Sequence, residues 1–354
     1  MSKMNAYNEI YDGLSFTAEQ KAQIAARAAK EAKAAQRKTR RSFCTLSKIA
    51  AAAACLVSVL TITAEAAGIP TPLSSLLAPI FGGTVAQTEV IDKIGHPIDA
   101  QDTDNGITIR ADAILGDEYN ACIVFTISRD DGTALLPENM EAKDLAIGGF
   151  GDISFSKMGS SHGYSCYVDQ VPGDHEIQYV YAVSSTEPLN TGFCTVTFHN
   201  LICAGRDTVS VLEGKWKFRF DVDYEDTAVT LGNGETFRQD DMNFTISEIR
   251  VSPIAISVAY DVDAEVHWSH ESDGRLPEED RRQMELFVEN VQLILTRKDG
   301  STIDLSKRAG SSVQKDEGVT HCIKSTVFGE VIPLEELESI TVGGIVFPIH
   351  DAID

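Results

Sequence analysis

Few residues in this chain stand at spacings that could do chemistry. Ser154-Phe155-Ser156-Lys157 fits Ser-x-x-Lys, in which a lysine amine would take the proton of a serine nucleophile. Acyl-enzymes of that class carry companion motifs, and none follows. His267-Trp268-Ser269-His270 and His199…Cys203 have loosely ligand-like spacing. A zinc site needs a second pair of ligands at comparable spacing, which the chain lacks, so surface or satisfied histidines are the expectation. Asp130-Asp131-Gly132 and Asp299-Gly300 resemble fragments of calcium loops without the regular acidic spacing, and read as hairpin turns. No glycine loop suited to phosphate is present. Trp216 lies in the alternating stretch Gly214–Phe218 and is expected in a core. Trp268 lies in a polar stretch and is the candidate contact surface. The expectation is therefore a binding protein with no catalytic residue, no metal ligand and no cofactor site.

The elements that would position such a surface fall on two sides of one apolar segment. Ile49–Ala64 is an uncharged run of 16 residues, alanine-rich at its start. As a helix it covers ~24 Å, short of a ~30 Å hydrocarbon core. Snorkelling of Lys48 brings Phe43–Ser47 into the apolar zone, and Ala66–Ile69 extend the far end before Pro70 stops the helix. Residues 43–69 thus read as a single transmembrane helix. A cleaved signal peptide competes with that reading, because Ala64-Glu65-Ala66 fits the small-x-small cleavage pattern.

Charge gives the segment its direction. Residues 1–48 hold 10 Lys and Arg against 4 Asp and Glu, a net of +6. The whole chain carries −23, which leaves −29 beyond Lys48. Arg37, Lys38, Arg40, Arg41 and Lys48 flank the span and suit an anionic inner leaflet. Positive residues beside a span stay cytoplasmic, so the N-terminus is expected inside and the C-terminal domains outside. The acidic outer part excludes nucleic acid as its partner, since phosphate binding needs net positive charge. Cys122, Cys166, Cys194, Cys203 and Cys322 are odd in number and widely spaced, which predicts reduced thiols rather than a disulfide framework.

In order, residues 1–42 read as a basic, Ala-rich helical segment, with Thr17 as N-cap and Gln20 completing a capping box. Residues 70–103 read as a connector. Leu73–Phe81 is expected as an amphipathic helix on the outer membrane surface, and Thr84–Ile94 as a second short helix. Residues 104–225 alternate apolar and polar residues in short stretches separated by turns, the pattern of a first β-sandwich. The opening strands are Gly106–Leu115 and Ala121–Ile127. Residues 226–354 read as a second sandwich. Its pair Phe244–Val251 and Ile254–Val262 echoes that opening hairpin, a weak internal repeat. Glu265–Arg282 and Ala309–Gly318 read as polar loops, with a short helix from Pro277 to Met284.

A resemblance adds to this. Residues 89–132, from Glu-Val-Ile-Asp-Lys-Ile-Gly-His-Pro-Ile through Gly-Ile-Thr-Ile-Arg-Ala-Asp-Ala-Ile-Leu-Gly-Asp to Val-Phe-Thr-Ile-Ser-Arg-Asp-Asp-Gly, resemble a family of Gram-positive membrane proteins. So does Leu212-Glu213-Gly214-Lys215-Trp216-Lys217-Phe218. The family ectodomain is a domain of unknown function (four-one-seven-nine). The resemblance implies two tandem immunoglobulin-like β-sandwich domains behind a helical N-terminal segment and one transmembrane helix, a mainly β fold. It also implies an anti-sigma-factor-like regulator: residues 1–42 would engage a cytoplasmic sigma factor, and the ectodomain would meet an extracytoplasmic ligand or protein. The cytoplasmic part departs from zinc-type anti-sigma proteins in having no His-x-x-x-Cys-x-x-Cys. A surface-anchored binding or adhesion module without cytoplasmic signalling is the alternative.

Overall fold

The computed structural model describes residues 73–350, apart from 138–139, 142–143, 148–151, 172, 204–205 and 270–276. The expected cytoplasmic helix, the transmembrane helix and the flanking Arg37, Lys38, Arg40, Arg41 and Lys48 lie outside the described residues. Among the described residues, no helix is long and apolar enough to cross a membrane. Residues 72–354 form one compact unit.

The described chain is mainly β, in antiparallel sheets. It opens with helices α1 (Leu73–Phe81) and α2 (Val85–Ile94). Thr84 caps α2: its Oγ1 accepts from the Gln87 N–H, and Gln87 Oε1 accepts from the Thr84 N–H, a closed capping box. Nine strands follow: β1 (Gly95–Asp104), β2 (Ile107–Gly116), β3 (Asn120–Arg129), β4 (Leu145–Ile147), β5 (Asp152–Phe155), β6 (Ser161–Val168), β7 (Glu176–Ser185), β8 (Thr191–Cys203) and β9 (Arg206–Asp223). They build a sheet of order β1-β2-β3-β7-β6, facing a second in which β8 pairs with β4, β5 and β9. Between the two sheets lie Ile109, Phe125, Phe198 and Trp216, all buried. Trp216 Nε1 donates to the Ile107 carbonyl at 2.9 Å, so the indole joins the sheets and satisfies its one polar atom.

The second half repeats this plan. Strands β10 (Val229–Leu231), β11 (Glu235–Gln239), β12 (Met242–Val251) and β13 (Ala255–Val262) lead to α3 (Glu278–Met284) and a π-helical turn at Glu285–Glu289. Then come β14 (Leu293–Arg297), β15 (Thr302–Asp304), β16 (Gly310–Asp316), β17 (Val319–Val327), β18 (Leu337–Val342) and β19 (Ile345–Pro348). One sheet runs β10-β12-β13-β17-β16 with β11 also on β12; the other runs β15-β14-β18-β19. Phe244, Tyr260, Leu293 and Ile340 fill the space between them.

Three stretches differ from the sequence reading. The connector assigned to 70–103 ends at Ile94, because Gly95–Asp104 is already a strand on β2. It contains Pro97 and is largely polar, as an outer strand tolerates. The loop expected at Ala309–Gly318 contains β16, and β6 lies where no strand was expected. Both are outermost strands, exposed enough that burial imposes no alternation.

Helix α1 packs one side on both halves of the described chain. Leu77 and Phe81, with Ile91 and Ile94 of α2, pack on Leu115, Cys122, Val124 and Val180 of the first half. The same cluster holds Ile254, Ala255, Val327 and Val331 of the second half. This third core explains why β2 and β3 run apolar without a break towards Gly116: here both faces of the sheet are covered. The Val331 N–H donates to the Phe81 carbonyl at 2.8 Å, and Gln87 Nε2 to the Val331 carbonyl at 3.0 Å.

Cys122, Cys194 and Cys322 are free and buried, and Cys166 is free and exposed. Burial pushes the Cys194 and Cys322 thiols up to about 12, and Cys122 upward as well. An alkylating reagent at pH 8 is expected to modify Cys166 in the native chain and to reach the other three only in denaturant, as read by peptide mass spectrometry. Rapid native labelling of Cys122 would contradict this packing.

Candidate functional site

The sequence candidates do not converge. Ser154 lies on β5 opposite Thr195, and no hydrogen bond joins it to Lys157 among the described residues. His199 is on β8, far along the chain from the exposed His267, and His270 lies outside the described residues. Trp268 is half-buried against the second core. The acidic turns are held by their own chain: Asp131 Oδ1 accepts from the N–H and Oγ1 of Thr133, and Asp299 Oδ1 from the N–H and Oγ of Ser301. Those hydrogen bonds hold both carboxyls below the usual carboxylate range. Among the described residues, no three His, Cys, Asp or Glu side chains are grouped to hold a metal ion.

The structure instead assembles a polar cleft of about 400 Å³ between the two halves. Its floor is the outer face of the β12-β13-β17-β16 sheet. Register places Arg250, Ser257, Ser325 and Gly310 in one row across that sheet, and Glu248, Ala259, Ile323 and Ser312 in the next. Its roof is one end of the first sandwich: Tyr119 and Asn120, Ser160 to His162, and Ser184 to Thr186. Such a volume lies within the ~300–1,000 Å³ range of small-molecule sites.

Three contacts fix the roof over the floor. Ser252 Oγ donates to Asp117 Oδ2 at 2.6 Å, both residues being buried. Asp117 also accepts from the N–H groups of Tyr119 and Asn120 and from Asn120 Nδ2. Asn120 Oδ1 accepts from Ser184 Oγ, which extends the network to the cleft wall. Burial pushes the Asp117 carboxyl upward, against the pull of the Ser252, Asn120 and Tyr119 hydrogen bonds.

Arg250 makes the second contact. Its Nη2 donates to Asp226 Oδ2 at 2.6 Å and Glu118 Oε2 at 3.1 Å, and its guanidinium lies 5.1 Å from the Tyr119 ring centroid. Burial pulls the guanidinium down, but Asp226 and Glu118 outweigh it and hold Arg250 above its ordinary value. His162 makes the third, with Nε2 3.0 Å from the Ser325 carbonyl and 3.1 Å from Ser325 Oγ. Its ring lies where a Cβ at position 310 would stand, so glycine there admits the histidine.

No family model matches the chain, and no curated protein does. Among solved structures, the chain is similar to a conserved domain protein from Bacillus anthracis, with a TM-score of 0.44 and 12% identity over 70% of this chain and 76% of that one. That likeness is too distant to carry a functional argument.

Only part of the cleft was within reach of sequence reasoning. The turn Gly116–Asn120 and the Ser252-Pro253 turn were visible as paired hairpin turns, but their contact joins residues 135 apart. Serines scattered over six strands and loops carry no local signal.

Proposed function

We propose that this chain is a membrane-anchored signal-transduction protein whose two tandem, immunoglobulin-like β-sandwiches bind an extracytoplasmic ligand or protein in the cleft between them. The observation that carries the reading is the cleft itself. Both halves supply its walls, and Asp117–Ser252 and Arg250–Glu118 hold those walls in place, so the site is preorganised rather than assembled on binding. Binding, with no bond made or broken, is its chemistry.

The matched strand orders support a tandem pair of modules. In each five-strand path, one outer strand, β1 or β10, precedes a bulged hairpin, β2-β3 or β12-β13, and the path then runs to β7-β6 or β17-β16. The +6 and −29 sides of residues 48–66 support the membrane placement, and the basic 1–42 segment would engage a cytoplasmic regulator of the sigma-factor class. A segment 1–42 immobilised on resin is expected to retain a transcription regulator at physiological salt. Retention of none would leave the adhesion reading, a surface-anchored module without cytoplasmic signalling. N-terminal sequencing of the mature protein tests the anchor: a start at Ala67 would mean a cleaved signal peptide and would end the cytoplasmic half of the proposal.

A further inference from the structure

The cleft between the sandwiches is a surface of hydroxyls. Of the sixteen described residues that line it, eight are serine and one is threonine. Three of these hydroxyls are committed to the protein. Ser184 Oγ donates to Asn120 Oδ1, Ser185 Oγ accepts from the Gly159 and Glu187 N–H groups, and Ser325 Oγ lies 3.1 Å from His162 Nε2. The other six are not. Among the described residues, the side chains of Ser160, Ser161 and Thr186 on the roof and Ser257, Ser311 and Ser312 on the floor make no hydrogen bond within the chain. A hydroxyl has one donor and two acceptor positions, so both walls offer groups that give and take at the same atom.

The rest of the lining narrows what would fit. Charge disfavours an anion. Among the described lining residues Arg250 is the one fixed cation, and Asp226 and Glu118 already hold it. Half-buried Glu248 adds its carboxylate to the same group, so one positive charge faces three negative ones. An apolar ligand would find little to cover it, because Tyr119, Ala259 and Ile323 are the only largely apolar side chains among the same residues. An extended peptide is held by backbone pairing along a strand edge. The middle of the floor is β13 and β17, whose N–H and C=O groups are spent on β12, on each other and on β16.

We propose that the cleft takes a neutral carbohydrate, a proposal that rests on the reading of this cleft as the binding site. Sugar hydroxyls are themselves donor and acceptor at one atom, and they radiate from a ring in several directions, as the two hydroxyl walls require. The C–H face of a sugar ring needs an apolar patch, and half-buried Tyr119 and Ile323 supply one. A ring can lie close on the floor because Ser257, Ala259, Gly310 and Ser312 are all small and share its two rows. A volume of about 400 Å³ gives room for a disaccharide.

Saturation-transfer NMR on the full-length chain, kept in a detergent without a sugar headgroup, tests this. The probes are neutral disaccharides of glucose, galactose, mannose and N-acetylglucosamine, their carboxylated and sulfated counterparts, and short neutral peptides. At least one neutral disaccharide is expected to bind, and its carboxylated or sulfated form to bind at least tenfold more weakly. Ser257→Trp fills the floor and is expected to weaken binding at least tenfold. Ser257→Ala combined with Ser312→Ala removes two hydroxyls without adding bulk and is expected to weaken it at least threefold. Cys166→Ser, outside the cleft, is expected to leave it unchanged. Circular dichroism and the denaturation midpoint would show that each variant is folded. Absence of binding by every neutral disaccharide would overturn the proposal. Binding of only a peptide or a charged sugar, lost in Ser257→Trp, would overturn the carbohydrate while the cleft remained the site. A neutral sugar that binds equally well to both cleft variants would overturn the cleft as its site.

Discussion

Asp117→Ala is expected to lower the unfolding free energy by about 4 kcal/mol and to uncouple the two sandwiches. Alanine leaves four donors without their acceptor: the N–H groups of Tyr119 and Asn120, Asn120 Nδ2 and Ser252 Oγ. Each buried, unpaired donor costs about 1–3 kcal/mol, and release from burying the carboxyl offsets part of the total. Because Ser252 belongs to the other sandwich, the loss falls on the junction, and calorimetry is expected to show two transitions in place of one. Titration gives a second handle. Burial holds the folded value above the ordinary 3.8, so the contribution is fully present below pH 3.8 and is lost as pH rises through the folded value. Wild type is therefore expected to gain stability relative to Asp117→Asn on acidification towards pH 4. A difference between the two that does not change with pH would show that Asp117 does not titrate in the folded protein as its burial implies.

Lys324→Met is expected to cost about 3 kcal/mol. Lys324 is 1% exposed on β17 and sits among the apolar side chains of the second core. Its Nζ donates to the carbonyls of Val288, Val291 and Ser306 at 2.9, 2.7 and 2.5 Å. The first two lie in the turn after α3, where the Val288 carbonyl also accepts from the Val291 N–H at 3.1 Å. Methionine fills the same volume but removes the Nζ donor from all three carbonyls, of which Val288 keeps the Val291 N–H, and the relief of burying a cation only partly compensates. Burial lowers the ammonium from 10.5 to about 8, against the upward pull of Glu289 and Asp304. The folded value lies below the unfolded one, so between about pH 8 and 10.5 the folded state binds fewer protons and this residue's contribution rises with pH. Urea midpoints of the two proteins, compared at pH 7.5 and pH 10, are expected to diverge in favour of wild type. The raised tyrosines and cysteines are common to both and drop out of the difference. Parallel pH profiles would show that Nζ titrates as an exposed lysine does.

These two residues mark where local reading stops. Alternation along Val319–Val327 would place Ile323 inside and Lys324 outside, and the structure reverses them. Ile323 faces the cleft, and Lys324 shares the inner face with Cys322. A lysine is admitted to a core only if carbonyls converge on it, and those carbonyls come from a turn more than thirty residues away. Asp117 is similar. In sequence it is an ordinary turn aspartate; its burial follows from a second sandwich closing over it.

The sequence by itself determined that the described chain is mainly β. It located the opening hairpins, the helices at Leu73–Phe81 and after Thr84, and Trp216 as a core residue. Each of these is written in local terms: period-two apolar residues, caps, glycine turns and one large ring on an alternating stretch. Only the tertiary structure decided the outer strands β1, β6 and β16, the third core that covers α1 and α2, and the cleft. An outer strand is defined by the neighbour it pairs with, so its own residues need no pattern. A cleft is defined by two surfaces that meet, and its serines and its Asp117–Ser252 clasp become neighbours only once both sandwiches have folded and docked.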